Sequence, residues 1–254
     1  MAGLARPPTS LVAGGENLGA RPKAGHDGWG CGSLKVRRRW YDMLTLTTLY
    51  HLAEEVNLGS IWEHGLLSTA RLLAQAGIPE AERCAMLRRH RPECVRLPSG
   101  VLIRDQKPMP PKALAPALDD GLTPPDWYEL LNGHVFLWPD RDRLERQRRA
   151  CRGRPQAVLV FDGARLLRDF GGCARVSPIN SGNARRRPAR RGLDTLRDYA
   201  AWAAEGWPDR RGGQRPAEVL LSCAIPARPP YLVRIERDPP TEEPEHGSTT
   251  PPRT

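Results

Sequence analysis

Three short stretches carry side chains that can do chemistry. In "QRPAEVLLSCAIP", Glu218 opens an apolar run, Val219, Leu220 and Leu221, that belongs in a core. An unpaired carboxylate is costly there, so one at the mouth of a buried strand can face a cleft and stabilise developing positive charge. A solvated strand-end glutamate is the plainer alternative. In "IRDQKPM", Arg104 follows an apolar strand and can hold a phosphate or carboxylate through two parallel hydrogen bonds. An Arg104–Asp105 surface pair of small energetic weight is the bland counterpart. In "TLYHLAEEVNLGSIWEHGLLST", Tyr50 and His51 end a short strand, and a turn at Asn57-Leu58-Gly59 enters a helix that stops at Gly65. That arrangement can aim a polar aromatic side chain at a ligand, and it is equally an ordinary strand-to-helix connection.

The elements that must position these groups are readable in outline. A first strand is expected over Thr45–His51, and Asn57 is placed to cap a helix over Leu58–His64 that Gly65 terminates. Helices follow in "STARLLAQAGI" and "EAERCAMLRRH", then a short strand in "GVLIRDQ" and a Pro-started, Gly-ended helix in "PPDWYELLNG". "HVFLW" reads as a strand on which Phe136 and Trp138 share a face, either as core or as a ligand wall. The helix after it carries Arg141, Arg143, Arg146, Arg148 and Arg149, a solvated face or one that tracks a nucleic-acid backbone. "QAVLVFDGARLLRDF" gives a buried strand and a helix, "VSPINSGNARR" a polar loop, and "GLDTLRDYAAWAAE" a helix. "AEVLLSCAIP" and "PYLVRIER" are late strands. Strands separated by irregular loops, with helices bunched early, indicate an α+β fold rather than a βαβ repeat.

Composition bounds the rest. The 254 residues suffice for one sizeable domain or two small ones, but 39% hydrophobic content with only three Phe leaves part of the chain unpacked. The 26 Pro and 24 Gly cluster towards the ends. Residues 1–42 and 238–254 are therefore expected to be disordered around one domain at 43–237, with Met43 as the natural start. The net charge of +10, nearly all from Arg, is compatible with a polyanionic partner and with codon bias alike. Six Cys without any CxxC spacing argue against structural zinc and a disulfide scaffold, so reduced thiols and a cytoplasmic setting are expected. No apolar run reaches the roughly 20 residues a membrane span needs. Walker, GxGxxG, HExxH and GxSxG patterns are missing, which removes kinases, Rossmann enzymes and zinc hydrolases.

The order of these stretches resembles a known family. "LYHLAEEVNLGSIWEHGLLS" resembles the opening of the DarT family of DNA-targeting ADP-ribosyltransferases. "HVFLWPDRDRLER" is similar to that family's aromatic strand and the segment after it, "NSGNA" to its Asn-Ala loop, and "PAEVLLSCAIP" to the strand that bears its catalytic glutamate. The similarity covers residues 49–236. The chain also resembles members of an uncharacterised family sharing "IRDQKPM", "DGLTPPDWYELLN" and "SPINSG", to which DarT would be a distant relative.

The resemblance implies an ADP-ribosyltransferase-like split β-sheet core with flanking helices, and NAD as substrate. It gives Glu218 the catalytic role, with Arg104 or Arg91 as the arginine that holds the pyrophosphate or steers the acceptor. His51 would anchor the adenosine ribose, with Tyr50, Asn57, Phe136 and Trp138 completing the NAD site, and no metal is implied. A nucleic acid is the implied acceptor, in a toxin or defence role with an antitoxin protein as partner. The family's His-x-Thr pair reads His51-Leu52-Ala53 here, so a hydroxyl is missing. That keeps a non-catalytic, nucleotide- or nucleic-acid-binding member of the fold in view. An RNA 2′-phosphotransferase-like reaction in the same cleft is a further alternative.

Overall fold

The computed structural model describes residues 46–151, 153–185, 188–208 and 215–237. The ends expected to be disordered, 1–42 and 238–254, lie outside the described residues, as does Met43. From the start of the described part come β1 (Thr48–Glu54), α1 (Leu58–His64), α2 (Thr69–Gln75), α3 (Glu80–Arg88), β2 (Val95–Arg96) and β3 (Leu102–Ile103). There follow α4 (Pro111–Leu114), α5 (Pro124–Asn132), β4 (Val135–Leu137) and α6 (Arg141–Ala150). The remainder is β5 (Gln156–Asp162), α7 (Gly163–Phe170), β6 (Ala174–Ser177), β7 (Arg197–Asp198), α8 (Tyr199–Glu205), β8 (Glu218–Leu221) and β9 (Leu232–Arg237).

Two antiparallel sheets organise the mixed α+β fold, in the orders β1-β5-β9 and β4-β8-β6-β7, with β2-β3 as a small hairpin. The run "QAVLVF" is apolar on both faces and therefore forms the central strand of the first sheet, where all of Ala157–Phe161 is buried. Leu49, Ala53, Leu159 and Phe161 from that sheet share one core with Val135, Leu137, Val176, Val219 and Leu221 from the second. The second sheet's other face carries Leu220 into a separate cluster with Met109, Trp127, Tyr128 and Leu131, against which Phe136 packs. Helix α5 begins with Pro124 and Pro125, where no amide hydrogen is required, and Asp126 accepts from the Thr123 N–H at 2.9 Å.

The strands of the two sheets meet at a bridge between Tyr50 and Trp138, whose amides and carbonyls exchange hydrogen bonds of 2.9 and 2.8 Å.

Several local expectations change. The first strand begins and ends three residues later than expected, because it pairs with β5 over Thr48–Glu54; His51 therefore stands mid-strand opposite Leu159. Asn57 precedes α1 as anticipated but does not cap it. Its amide instead pairs with both backbone groups of Leu102, at 2.9 and 2.8 Å, tying the β3 wall to the start of α1. Val176 and Ser177 of the expected polar loop belong to β6, and only Tyr199–Glu205 of "GLDTLRDYAAWAAE" is α-helical. Leu193–Thr195 form a separate 3-10 turn, divided from the helix by the edge pairing of Arg197 and Asp198 with β6. The expectation of reduced thiols fails for Cys173 and Cys223, which are bridged with Cα atoms 6.1 Å apart. They flank the paired ends of β6 and β8, an adjacency that their separation of 50 residues conceals.

Candidate functional site

A cavity of about 290 Å³ opens between β1, the β4–β8 edge, the β3 wall and the loop after β6. His51, Asn57, Arg91, Arg104, Phe136, Trp138 and Glu218 all line it; Tyr50 does not. Successive strand residues project to opposite faces. With His51 turned into the cavity, Tyr50 packs instead against the cluster of Leu52, Leu144, Val158 and Val160, with Arg141 above its ring at 5.4 Å.

Register explains the convergence. Tyr50 is bridged to Trp138, and the β4–β8 pairing of Leu137 with Val219 carries Trp138 to the level of Glu218. The residue next to Tyr50 and the first residue of β8 thus reach one place through a shared neighbour. His134, Phe136, Trp138 and Glu218 lie on one face of the second sheet, and all four line the cavity.

The His51 Nδ1–H donates to the Phe136 carbonyl at 2.8 Å. Since the partner is a carbonyl, that nitrogen carries the proton and Nε2 is an acceptor. Burial lowers the imidazole pKa to about 4; the Phe136 carbonyl works against this and the positive Arg104 adds to it. The ring is therefore neutral at pH 7, and Nε2 has no hydrogen-bond partner among the described residues. His134, which sequence reasoning did not single out, repeats the pattern: its Nδ1–H donates to Leu130 O at 2.8 Å, and burial lowers its pKa.

Glu218 is 3% exposed. Its Oε2 accepts from the backbone N–H of Ser181 at 2.9 Å and from the Ser181 hydroxyl at 2.6 Å. Burial raises its pKa to about 6, restrained by the Ser181 bonds and by the charges of Arg143 and Arg191. Oε1 has no partner among the described residues. Arg191, also missed from sequence, is 2% exposed and donates to the carbonyls of Ala189, Ser181 and Asn183 at 3.0, 2.9 and 2.9 Å. It lies near the end of the "SGNARRRPARRG" segment, and no periodicity separates it from the exposed Arg185 and Arg190.

The two candidate arginines are engaged with the protein. Arg104 donates through Nε to Glu54 at 3.0 Å, and Arg154 binds the same carboxylate at 3.2 and 3.1 Å. Arg91 donates to the Arg104 carbonyl at 2.8 Å and to Asn132 Oδ1 at 3.2 Å; burial lowers its pKa to about 10, so it stays charged at pH 7. Arg91 thus holds the turn that presents Arg104, and both cations stand at the cavity wall. Together the lining offers an uncharged acceptor, a carboxylate with one open oxygen, two flat aromatic surfaces and two guanidinium groups. Such a set suits a ligand that carries hydroxyls, a planar ring and a centre that becomes positive. Among the described residues no cluster of His, Cys, Asp and Glu is arranged to hold a metal ion, and no helix is long and apolar enough to cross a membrane.

The chain belongs to a family of unknown function (DUF7002), whose model matches residues 47–232. No curated protein and no solved structure matches it.

Proposed function

We propose that this DUF7002 chain is an ADP-ribosyltransferase that moves ADP-ribose from NAD to a macromolecule, with DNA or RNA as the acceptor. The observation that carries this reading is the pairing of two open atoms, His51 Nε2 and Glu218 Oε1, on one cavity. In the reaction the bond between the ribose and nicotinamide breaks, with its electron pair leaving on nicotinamide. A new bond forms from the same carbon to an acceptor oxygen or nitrogen, which gives up a proton. His51 Nε2 accepts from a ribose hydroxyl. Glu218, ionised above its pKa of about 6, faces the sugar as it becomes cationic and is basic enough to take the acceptor's proton. Phe136 and Trp138 supply a flat wall, and Arg91 and Arg104 supply positive charge for the pyrophosphate. A toxin or defence role in the cytoplasm, with an antitoxin protein as partner, accords with consumption of NAD.

A second reading rests on Ala53. This residue stands where the resembling family has a threonine, and it is buried in the main core with no hydroxyl to offer. A member lacking that group can bind the nucleotide without turning it over.

The test mixes labelled NAD with DNA, RNA and 2′-phosphorylated RNA oligonucleotides and follows nicotinamide release and label transfer. Wild type is expected to label DNA or RNA, and Glu218→Gln to lose about 10²- to 10³-fold in turnover, the scale of one lost electrostatic stabiliser. Equal turnover in the two proteins removes Glu218 from the mechanism. Turnover confined to 2′-phosphorylated RNA identifies the phosphotransferase reaction. Calorimetric NAD binding without turnover selects the non-catalytic reading, and no binding of NAD at all sinks all three.

A further inference from the structure

The two oxygens of Glu218 are treated differently. Oε2 takes both donors of Ser181, which is itself fully buried, whereas Oε1 is left to the cavity. The Ser181 carbonyl is fixed in turn by Trp127 Nε1 at 3.2 Å and by Arg191 Nη1 at 2.9 Å. A buried guanidinium ordinarily meets a carboxylate. Arg191 instead spends its donors on three loop carbonyls and stacks towards the Trp127 ring at 6.0 Å, without a hydrogen bond to Glu218. Its charge still acts on Glu218 through space, as does that of Arg143 from α6. A direct bidentate ion pair would have closed both oxygens. Holding the loop rather than the carboxylate orients one oxygen and leaves the other open.

We propose that Ser181 and Arg191 are the positioning residues of Glu218, Ser181 by anchoring Oε2 so that Oε1 alone is presented, and Arg191 by fixing the Ser181 loop. The catalytic consequence rests on the reading of Glu218 as the reacting carboxylate; the positioning itself does not.

The experiment separates the two. In the full chain with ¹³C-labelled glutamate and no ligand, the Glu218 carboxyl is followed by NMR through a pH titration. Ser181→Ala removes one hydroxyl donor to the ionised oxygen, and its midpoint is expected to rise by about 1 unit. Arg191→Lys keeps the charge but cannot reach three carbonyls, and a smaller rise is expected. Arg191→Met should raise it most; if that variant does not fold, the other two decide the matter. Midpoints equal to wild type in folded Ser181→Ala and Arg191→Lys overturn the proposal. With NAD turnover present, kcat should fall about 10-fold or more in Ser181→Ala while KM for NAD stays within about 2-fold, since the His51 side is untouched. If wild type shows no turnover, the titration still gives its answer.

Discussion

Glu54 and Glu218 are each 3% exposed and each line the same cavity, yet their surroundings make them different chemical objects. Glu54 sits between two guanidinium groups, Arg104 and Arg154, which occupy both of its oxygens. Glu218 is held at one oxygen by the neutral donors of Ser181, while its nearest buried cation is committed to backbone carbonyls. Burial by itself therefore does not mark a reactive carboxylate. What matters is whether charge neutralisation has consumed the lone pairs.

That contrast can be broken in four places, from the largest effect to the smallest. Glu218→Gln should abolish turnover within assay limits, about 10²-fold or more, without loss of folding; a variant that unfolds would make Glu218 a structural group like Glu54. Glu54→Gln should instead lower stability by about 2–3 kcal/mol in urea denaturation. The figure is discounted from that of a fully buried pair because both arginines are partly exposed. A Glu54→Gln protein of unchanged stability would end the comparison.

The third is a pH effect. Glu218 has a folded pKa of about 6, above its ordinary 4.5, so the native state favours the protonated form. Its ionisation costs roughly 2 kcal/mol of stability above pH 6, and the cost is relieved as pH falls towards 4.5. Glu218→Gln should accordingly be more stable than wild type at pH 8, with the advantage gone at pH 4. His51 acts in the opposite sense: its pKa is depressed from 6.5 to about 4, so it contributes stability that is present above 6.5 and lost as pH falls through 4. His51→Gln should flatten that acid limb in denaturation curves measured across the range. The smallest effect is Arg143→Ala, which should lift the Glu218 titration midpoint by a few tenths of a unit, as expected for one exposed cation; an unchanged midpoint would show that the Arg143 charge does not reach the carboxylate.

The cavity's two defining side chains were legible because each stands beside an apolar strand, the kind of segment whose burial is plain from composition. Glu218 opens "EVLL" and His51 lies within "TLYHLAE", and any fold that buries these strands must place both polar groups somewhere specific. Their meeting was expected from the family resemblance alone; strand patterning gives no sign of it, since it depends on the Tyr50–Trp138 bridge between residues 88 positions apart. Asn57 was found for the wrong reason: its side chain imitates a strand partner for Leu102, and local sequence points only to the helix beside it. Arg191 was invisible because a buried arginine that bonds carbonyls has the same one-letter neighbourhood as the exposed Arg185 and Arg190. Residues 192–198 looked α-helical from their spacing, but Leu193–Thr195 form only a 3-10 turn, and pairing with β6 overrode the preference at Arg197 and Asp198.

The paired amides of Tyr50 and Trp138 have one more consequence. They form a seam joining the wall that bears the imidazole to the wall that bears the carboxylate. Any guest that spreads or draws in these walls must load that seam, so deuterium uptake at the two amides gauges occupancy whatever the guest's identity.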